Sequence, residues 1–217
     1  MIASRAAPNT GGPAASWAEV VQGNAAIGIE RLPRLAEPAA AELARGPSRA
    51  LKMPMTALDE AGLEALCTEF CPSPAAASAL HEWLQICIKR LQQLQPGSRQ
   101  QLRIERLHGP GCPRWHVDHV PLRMLGTLFG PGTEWLPEPV HDRTELLRPG
   151  GAQRVDERVI EGLAAGEAAL LRGQRHPAHP GLGVIHRSPL ATPEQARVLV
   201  AVDVMEAEEH RFFATPA

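Results

Sequence analysis

Residues Leu102 to Pro137 read LRIERLHGPGCPRWHVDHVPLRMLGTLFGPGTEWLP, and their pattern decides the fold. An alternating run, LRIERL, ends in the turn GPGCP; an apolar run, WHVDHVPLRMLGTLF, follows and leads into the loop GPGTEWLP. From Gln100 the periodicity changes from helical to period two, so strands begin here. On extended backbone successive side chains point to opposite faces, and His116 and Asp118 therefore project from the same face. One imidazole and one carboxylate converge on a point. Downstream, VIHRSPLATPEQARVLVAVDV places His186 at the end of a short apolar strand and Arg197 at the start of the next. Two histidines and one carboxylate can hold a divalent metal on one side and leave positions open on the other, a set suited to non-haem Fe(II). Arg197, a permanently charged planar fork, suits a carboxylate held through two hydrogen bonds. Arg187, directly after His186, points to the opposite face of its strand.

Upstream of Gln100 the pattern is helical. Met1 to Ser16 is rich in Ala, Gly, Pro, Ser and Asn without periodicity and reads as a disordered tail. Ala25 to Leu32 reads as a short edge strand stopped by Pro33, and LAEPAAAELARG as a helix ending at Gly46. Thr56 to Phe70 places Leu58, Leu63, Leu66, Cys67 and Phe70 at helical spacing, with Asp59 and Glu60 in the first turn. Ser73-Pro74 reads as a cap followed by proline at the first helical position, launching PAAASALHEWLQICIKRLQQLQ. Leu80, Trp83, Leu84, Ile86, Cys87, Ile88 and Leu91 form its apolar face.

After the central stretch come a polar region from His141 to Arg158, the strand AAGEAALLRG, the loop QRHPAHPGLG, and the strands VIHRS and RVLVAVDV. Helices first and antiparallel strands afterwards make an α+β class, a barrel-like or sandwich-like sheet backed by helices. The expected organisation is a tail over 1–16 and one domain over 17–217, with helical support at 36–95 and the metal-binding strands at 100–205. A long irregular segment in a compact domain is commonly functional, so His141 to Arg158 reads as a lid or substrate-selecting loop.

Composition narrows the function. The chain has 217 residues, 22 Lys and Arg against 24 Asp and Glu, and a formal net charge of -2. No basic block favours nucleic acid, and no apolar run of about 18 residues favours a membrane. The cysteines Cys67, Cys71, Cys87 and Cys112 are unevenly spaced, and a chain of this size needs no disulfide staples, so a reducing cytoplasm is the expected location. No phosphate-binding glycine loop and no G-x-S-x-G elbow occurs, which leaves nucleotide binding and serine hydrolysis without support.

Lesser candidates surround the triad. Cys112, His116, Asp118 and His119 could form a local zinc site, although His119 points away from Asp118 on a regular strand. His176 and His179, in a Pro/Gly-rich loop near His186, could rim a pocket or substitute as ligands. Cys67 and Cys71, at helical spacing, read as half-buried core, and Trp115, Trp135 and Phe129 as core or pocket wall.

On these residues two resemblances can be stated. RIERLHGPGCPRWHVDH resembles the Fe(II)/2-oxoglutarate-dependent dioxygenase pattern of strand, turn and H-x-D. GPGTEWLP, AAGEAALLRG and IHRSPLATPEQARVLVAVDV resemble later segments of the same superfamily, so that the match runs from Gln100 to Val204. It implies a double-stranded β-helix, jelly-roll or cupin-like, with N-terminal helices packed on it. It implies His116, Asp118 and His186 as iron ligands and Arg197 as the partner of the 2-oxoglutarate carboxylate. The sequence departs from that pattern in having no Tyr to serve as an aromatic donor to 2-oxoglutarate. WHVDHVPLRMLGTLFGPGTEWLP and IHRSP also resemble an uncharacterised bacterial family of unknown function, over most of the chain.

The function expected is a metal-dependent oxygenase, using Fe(II) and 2-oxoglutarate to hydroxylate a small molecule or a protein side chain. The alternative is a zinc-binding protein of the same barrel shape, in metal homeostasis or sensing. A further possibility is a non-catalytic interaction module in which the triad is structural.

Overall fold

The computed structural model describes residues 15–54, 60–109, 111–138, 142–164, 166–190 and 195–205. The N-terminal part contains helix α1 (Trp17–Val21), strand β1 (Ile27–Arg31), helix α2 (Glu37–Leu43), strand β2 (Arg49–Pro54) and helices α3 (Glu60–Phe70) and α4 (Pro74–Leu94). Then follow β3 (Arg99–His108), β4 (Leu122–Phe129), β5 (Glu134–Trp135), the short helix α5 (Arg143–Leu146) and a 3₁₀ turn (Glu157–Val159). The chain continues with β6 (Glu161–Gly162), β7 (Glu167–Arg172), β8 (His186–Arg187) and β9 (Ala196–Met205).

Two antiparallel sheets result: six strands in the order β1-β7-β4-β9-β3-β2, and three in the order β6-β5-β8. From β3 onward the chain alternates between them. His116 bridges to β8 on the small sheet; β4, β7 and β9 return to the large one. Among the described residues this makes two facing sheets rather than a closed barrel.

The large sheet is covered on both faces, which explains its apolar strands. In β9, Val198, Val200, Val202 and Val204 join the helices in the main core, while Leu199 and Ala201 join a second core with Leu125, Leu171 and Val184. The long helix α4 is the principal support. Ser73 caps it by accepting a bond from Ala76 N, and Pro74 opens it, as the sequence predicts. Its buried face runs from Ala76 to Leu91 and includes Trp83, whose ring lies where a Cβ on Gly126 would come within 2.4 Å. Ile86, expected on this face, is exposed, because it lies to the side of the stripe that meets the sheet.

The imperfect alternation of β3 also has a cause. Gln100, Leu102, Ile104 and Arg106 all face the helices. Arg106 is tolerated there because Nε donates to Leu43 O at 2.6 Å and Nη2 donates to Phe70 O at 3.0 Å, while its guanidinium lies over the Phe70 ring. It satisfies orphan carbonyls at the C-terminal ends of α2 and α3.

The N-terminal expectations change in part. Ser16 is the cap of α1 rather than tail: its hydroxyl accepts from Glu19 N, and the Glu19 side chain accepts from Ser16 N. This S-x-x-E box stands before Trp17 and Val20, both fully buried. Residues 1–14 of the expected tail lie outside the described residues, as do residues 56–59 of the helix expected from Thr56. Strand β2 was not expected. Its Leu51 and Met53 alternate with the exposed Ala50 and Lys52 at the sheet edge.

Candidate metal centre

His116 and His186 are directly opposed across an antiparallel bridge. His116 N donates to His186 O at 3.0 Å and His186 N to His116 O at 2.9 Å. Directly opposed residues share a face, so the rings meet with centroids 4.5 Å apart. Asp118, two residues beyond His116, returns to that face, its backbone held by a bond from Gln174 N to Asp118 O. One potential ligand atom from each of the three residues lies within 4.8 Å of the others. Pairing here is limited to the bridge at His116, and Pro121 separates this segment from β4, where one continuous strand was expected.

Both imidazoles are oriented by carbonyl groups. His116 Nδ1 lies 2.8 Å from Arg114 O, and His186 Nδ1 lies 3.0 Å from Val184 O. A carbonyl can only accept, so each Nδ1 carries a proton, and each ring in its neutral form would present its Nε2 lone pair to the centre. His186 Nε2 faces Asp118 Oδ2 at 3.1 Å, and that oxygen is buried with no hydrogen-bond donor. At this distance the two atoms share a cation, which a proton or a metal ion could supply, and two imidazoles with one carboxylate are a donor set that suits a divalent metal. Burial drives the Asp118 carboxyl upward, but His186, Arg123 and His116 together outweigh it and hold it at about 2. His116 is lowered, first by burial and then by His186, which favours the neutral ring that a metal needs.

Two buried arginines flank the triad. The Arg123 guanidinium donates to Asp118 Oδ1 and, through Nε and Nη2, to both oxygens of Asp203, with Nη2 to Oδ2 at 2.8 Å. Arg197 is 1% exposed and has no carboxylate partner among the described residues: Nη1 donates to Ser188 Oγ at 3.0 Å, Nη2 to Thr133 Oγ1 at 2.8 Å, and Nε is unsatisfied there. Burial lowers it to about 10, although Glu105 and Glu134 pull the other way. Ser188 lies two residues beyond His186, so on extended backbone Arg197 reaches the face that carries the triad. Arg187 points the other way, pairing with Glu134 and stacking on Trp115.

The remaining candidates lie elsewhere. Cys112 and His119 are exposed and take no part in the triad. His176 Nδ1 accepts from Ala178 N, and His179 Nε2 contacts Gly23 O, so both serve loop structure. Cys67 and Cys71 are core thiols pushed up by burial, to about 12 and about 11. The expected lid, apart from residue 141, packs against the outer side of the small sheet. Leu146, Leu147, Val155, Val159 and Ile160 form a third core there with Trp115 and Ile185. It buttresses the strands that carry the histidines. Sequence reasoning missed Arg123 and Asp203, although Arg123 is the lone charge in β4 and Asp203 the lone acid in β9, and the two have opposite sign.

Geometry of this kind defines a fold with solved examples. The chain shares its fold with the dioxygenase for auxin oxidation of rice, with a TM-score of 0.52 and 16% identity over 88% of this chain and 78% of that one. A Pseudomonas putida prolyl-4-hydroxylase matches with a TM-score of 0.44 and 13% identity over 88% and 99% of the two chains. The Arabidopsis thaliana dioxygenase for auxin oxidation 1, in a binary complex with 2-oxoglutarate, matches at 0.43 and 13% over 75% and 64%. No curated protein matches the sequence. The chain belongs to the family described as protein of unknown function (DUF1826), whose model matches residues 11–203. Among the described residues no helix is long and apolar enough to cross a membrane.

Proposed function

We propose that this chain is an Fe(II)- and 2-oxoglutarate-dependent oxygenase on a double-stranded β-helix, hydroxylating a small molecule or a protein side chain. One observation carries the reading: a His-Asp-His triad with a buried arginine, without a carboxylate partner among the described residues, on the same face. His116, Asp118 and His186 would hold the metal, and Arg197 the distal carboxylate of the 2-oxo acid. Iron bound with a 2-oxo acid supplies the activation of dioxygen that no amino-acid side chain can supply. The chain's own contribution is orientation and charge. The two carbonyl-held imidazoles turn Nε2 toward the centre, where it would ligate, and Arg197 offers a planar fork in a site of low effective dielectric, where pairing with a carboxylate is strong. Ser188 and Thr133, beside that fork, supply hydroxyls in a sequence that has no Tyr.

A closed structural zinc site calls for four protein ligands. Among the described residues no fourth His, Cys, Asp or Glu joins the triad, so the zinc reading is less favoured. The test is anaerobic Fe(II) titration with and without 2-oxoglutarate. A weak visible charge-transfer band is expected only with both, and it should be lost in Arg197→Ala. Failure of the band together with tightly retained zinc would overturn the reading. His116→Ala and Asp118→Ala are expected to fold and to lose the metal.

A further inference from the structure

Arg123 and Asp203 form the second buried charge cluster of the site, and the assignment of ligands leaves them without a role. Arg123 stands at the start of β4, five residues after Asp118, and Asp203 lies directly opposite it on β9. Between its three nitrogens Arg123 engages one oxygen of Asp118 and both oxygens of Asp203. The side chains of Arg123, Asp118 and Asp203 are 14%, 8% and 12% exposed, so the three charges interact with little solvent screening. Fold stability alone gives no reason to keep them, since a buried ion network is commonly no more stable than apolar residues of the same volume.

We propose that Arg123 and Asp203 are positioning residues that fix how Asp118 meets a metal; the inference rests on the reading of the triad as a metal centre. The division of labour on Asp118 is the key. Oδ1 is occupied by Arg123 and lies 3.9 Å from His116 Nε2, whereas Oδ2 is engaged by no arginine and faces His186 Nε2 at the shorter distance of 3.1 Å. With one oxygen occupied, Asp118 offers the metal a single oxygen. Two imidazoles and one monodentate carboxylate fill three positions of an octahedron and leave three open, whereas a chelating carboxylate would consume a fourth. Asp203 supplies the compensating charge. Without it, Arg123 would confront Asp118 as an uncompensated cation and draw away the negative charge on which the metal depends. With it, the pair is neutral, and Asp118 keeps its charge while its orientation is held.

The experiment uses the full chain, Mn(II) and Co(II) alone, and no co-substrate. Mn(II) affinity is read from loss of the free-ion electron paramagnetic resonance signal, and coordination from the Co(II) ligand-field spectrum. Wild type should bind one equivalent and give the weak absorption of six-coordinate Co(II). Asp203→Asn should weaken Mn(II) binding by about 10-fold to 100-fold, the usual effect of removing an outer-shell partner. Arg123→Met leaves Asp203 unpaired and is at risk of misfolding, so Arg123→Met/Asp203→Asn removes both charges together. That double variant should fold, bind Mn(II) more weakly by a similar factor, and change the Co(II) spectrum as Asp118 gains freedom to chelate. Arg123→Lys keeps the charge without the fork, and its affinity should lie between wild type and the double variant. Wild-type affinity and an unchanged Co(II) spectrum in the folded double variant would overturn the inference while leaving the metal centre intact. Failure of the wild-type chain to bind either ion would overturn both.

Discussion

His116 and His186 each spend Nδ1 on a backbone carbonyl, which sets the tautomer, while burial and neighbouring charges set the acid response of His116 and Asp118. His116 lies below its ordinary value of 6.5, and Asp118 falls from 3.8 to about 2. A depressed value means that the folded chain binds the proton less readily than the unfolded chain. The stability each group contributes is therefore complete above its ordinary value and is lost as pH falls through the depressed one. Metal-free protein should lose melting temperature as pH drops below about 6.5, from His116, and again between about 3.8 and about 2, from Asp118. Melting curves across that range check the sign: His116→Asn, which does not titrate, should flatten the upper segment, and an unchanged slope would refute the assignment. At this scale the triad was legible because an H-x-D on extended backbone can only converge. Arg123 and Asp203 were not read, because they become neighbours through the pairing of β4 with β9, which lies in no local pattern.

The strand that carries His116 has too little sheet of its own, and one side chain replaces the missing neighbour. Gln153 Oε1 accepts from Trp115 N at 2.9 Å, and Gln153 Nε2 donates to Trp115 O at 2.6 Å, a pairing of the kind a strand would make. Gln153→Ala should cost about 1–3 kcal/mol by leaving the Trp115 backbone unpaired, and should also weaken metal binding by loosening His116. Denaturant unfolding and Mn(II) titration of the same variant check both; a stability loss at unchanged Mn(II) affinity would confine Gln153 to the fold. Gly126→Ala acts on the opposite face of the large sheet. A Cβ there would stand 2.4 Å from the buried Trp83 ring, so overpacking should cost about 1–3 kcal/mol while Mn(II) affinity holds. The long elements were legible from their periods, α4 from its cap and apolar stripe and β9 from its apolar run. Strand β8 was legible within VIHRS, but the two-residue strands β5 and β6 were not, because so short a strand has no period, and the packing of 142–158 on the small sheet was not, because its apolar residues are scattered among polar ones.

The molecule has helices on one face of a six-stranded sheet and a small sheet on the other, and the candidate centre joins the small sheet to the large. His116 and His186 belong to the small-sheet side, whereas Arg123, Arg197 and Asp203 rise from β4 and β9 of the large sheet. Asp118 is the contact between the two groups. A metal held by the triad would therefore bind the folded arrangement and have little affinity for the unfolded chain, where the three ligands lie on separate segments. Mass action then requires ligand-dependent stabilisation of about 2.7 kcal/mol at a metal concentration of 100 times Kd. For a domain of this size that amounts to a rise in melting temperature of about 5–10 °C. Mn(II) should produce the rise and a chelator should reverse it. His186→Ala should show neither effect, and Arg197→Ala should retain the full rise, because its guanidinium lies beyond the ligand set. A rise that survives in His186→Ala would locate the metal elsewhere on the chain, and no rise in wild type would remove the metal from the account of this fold.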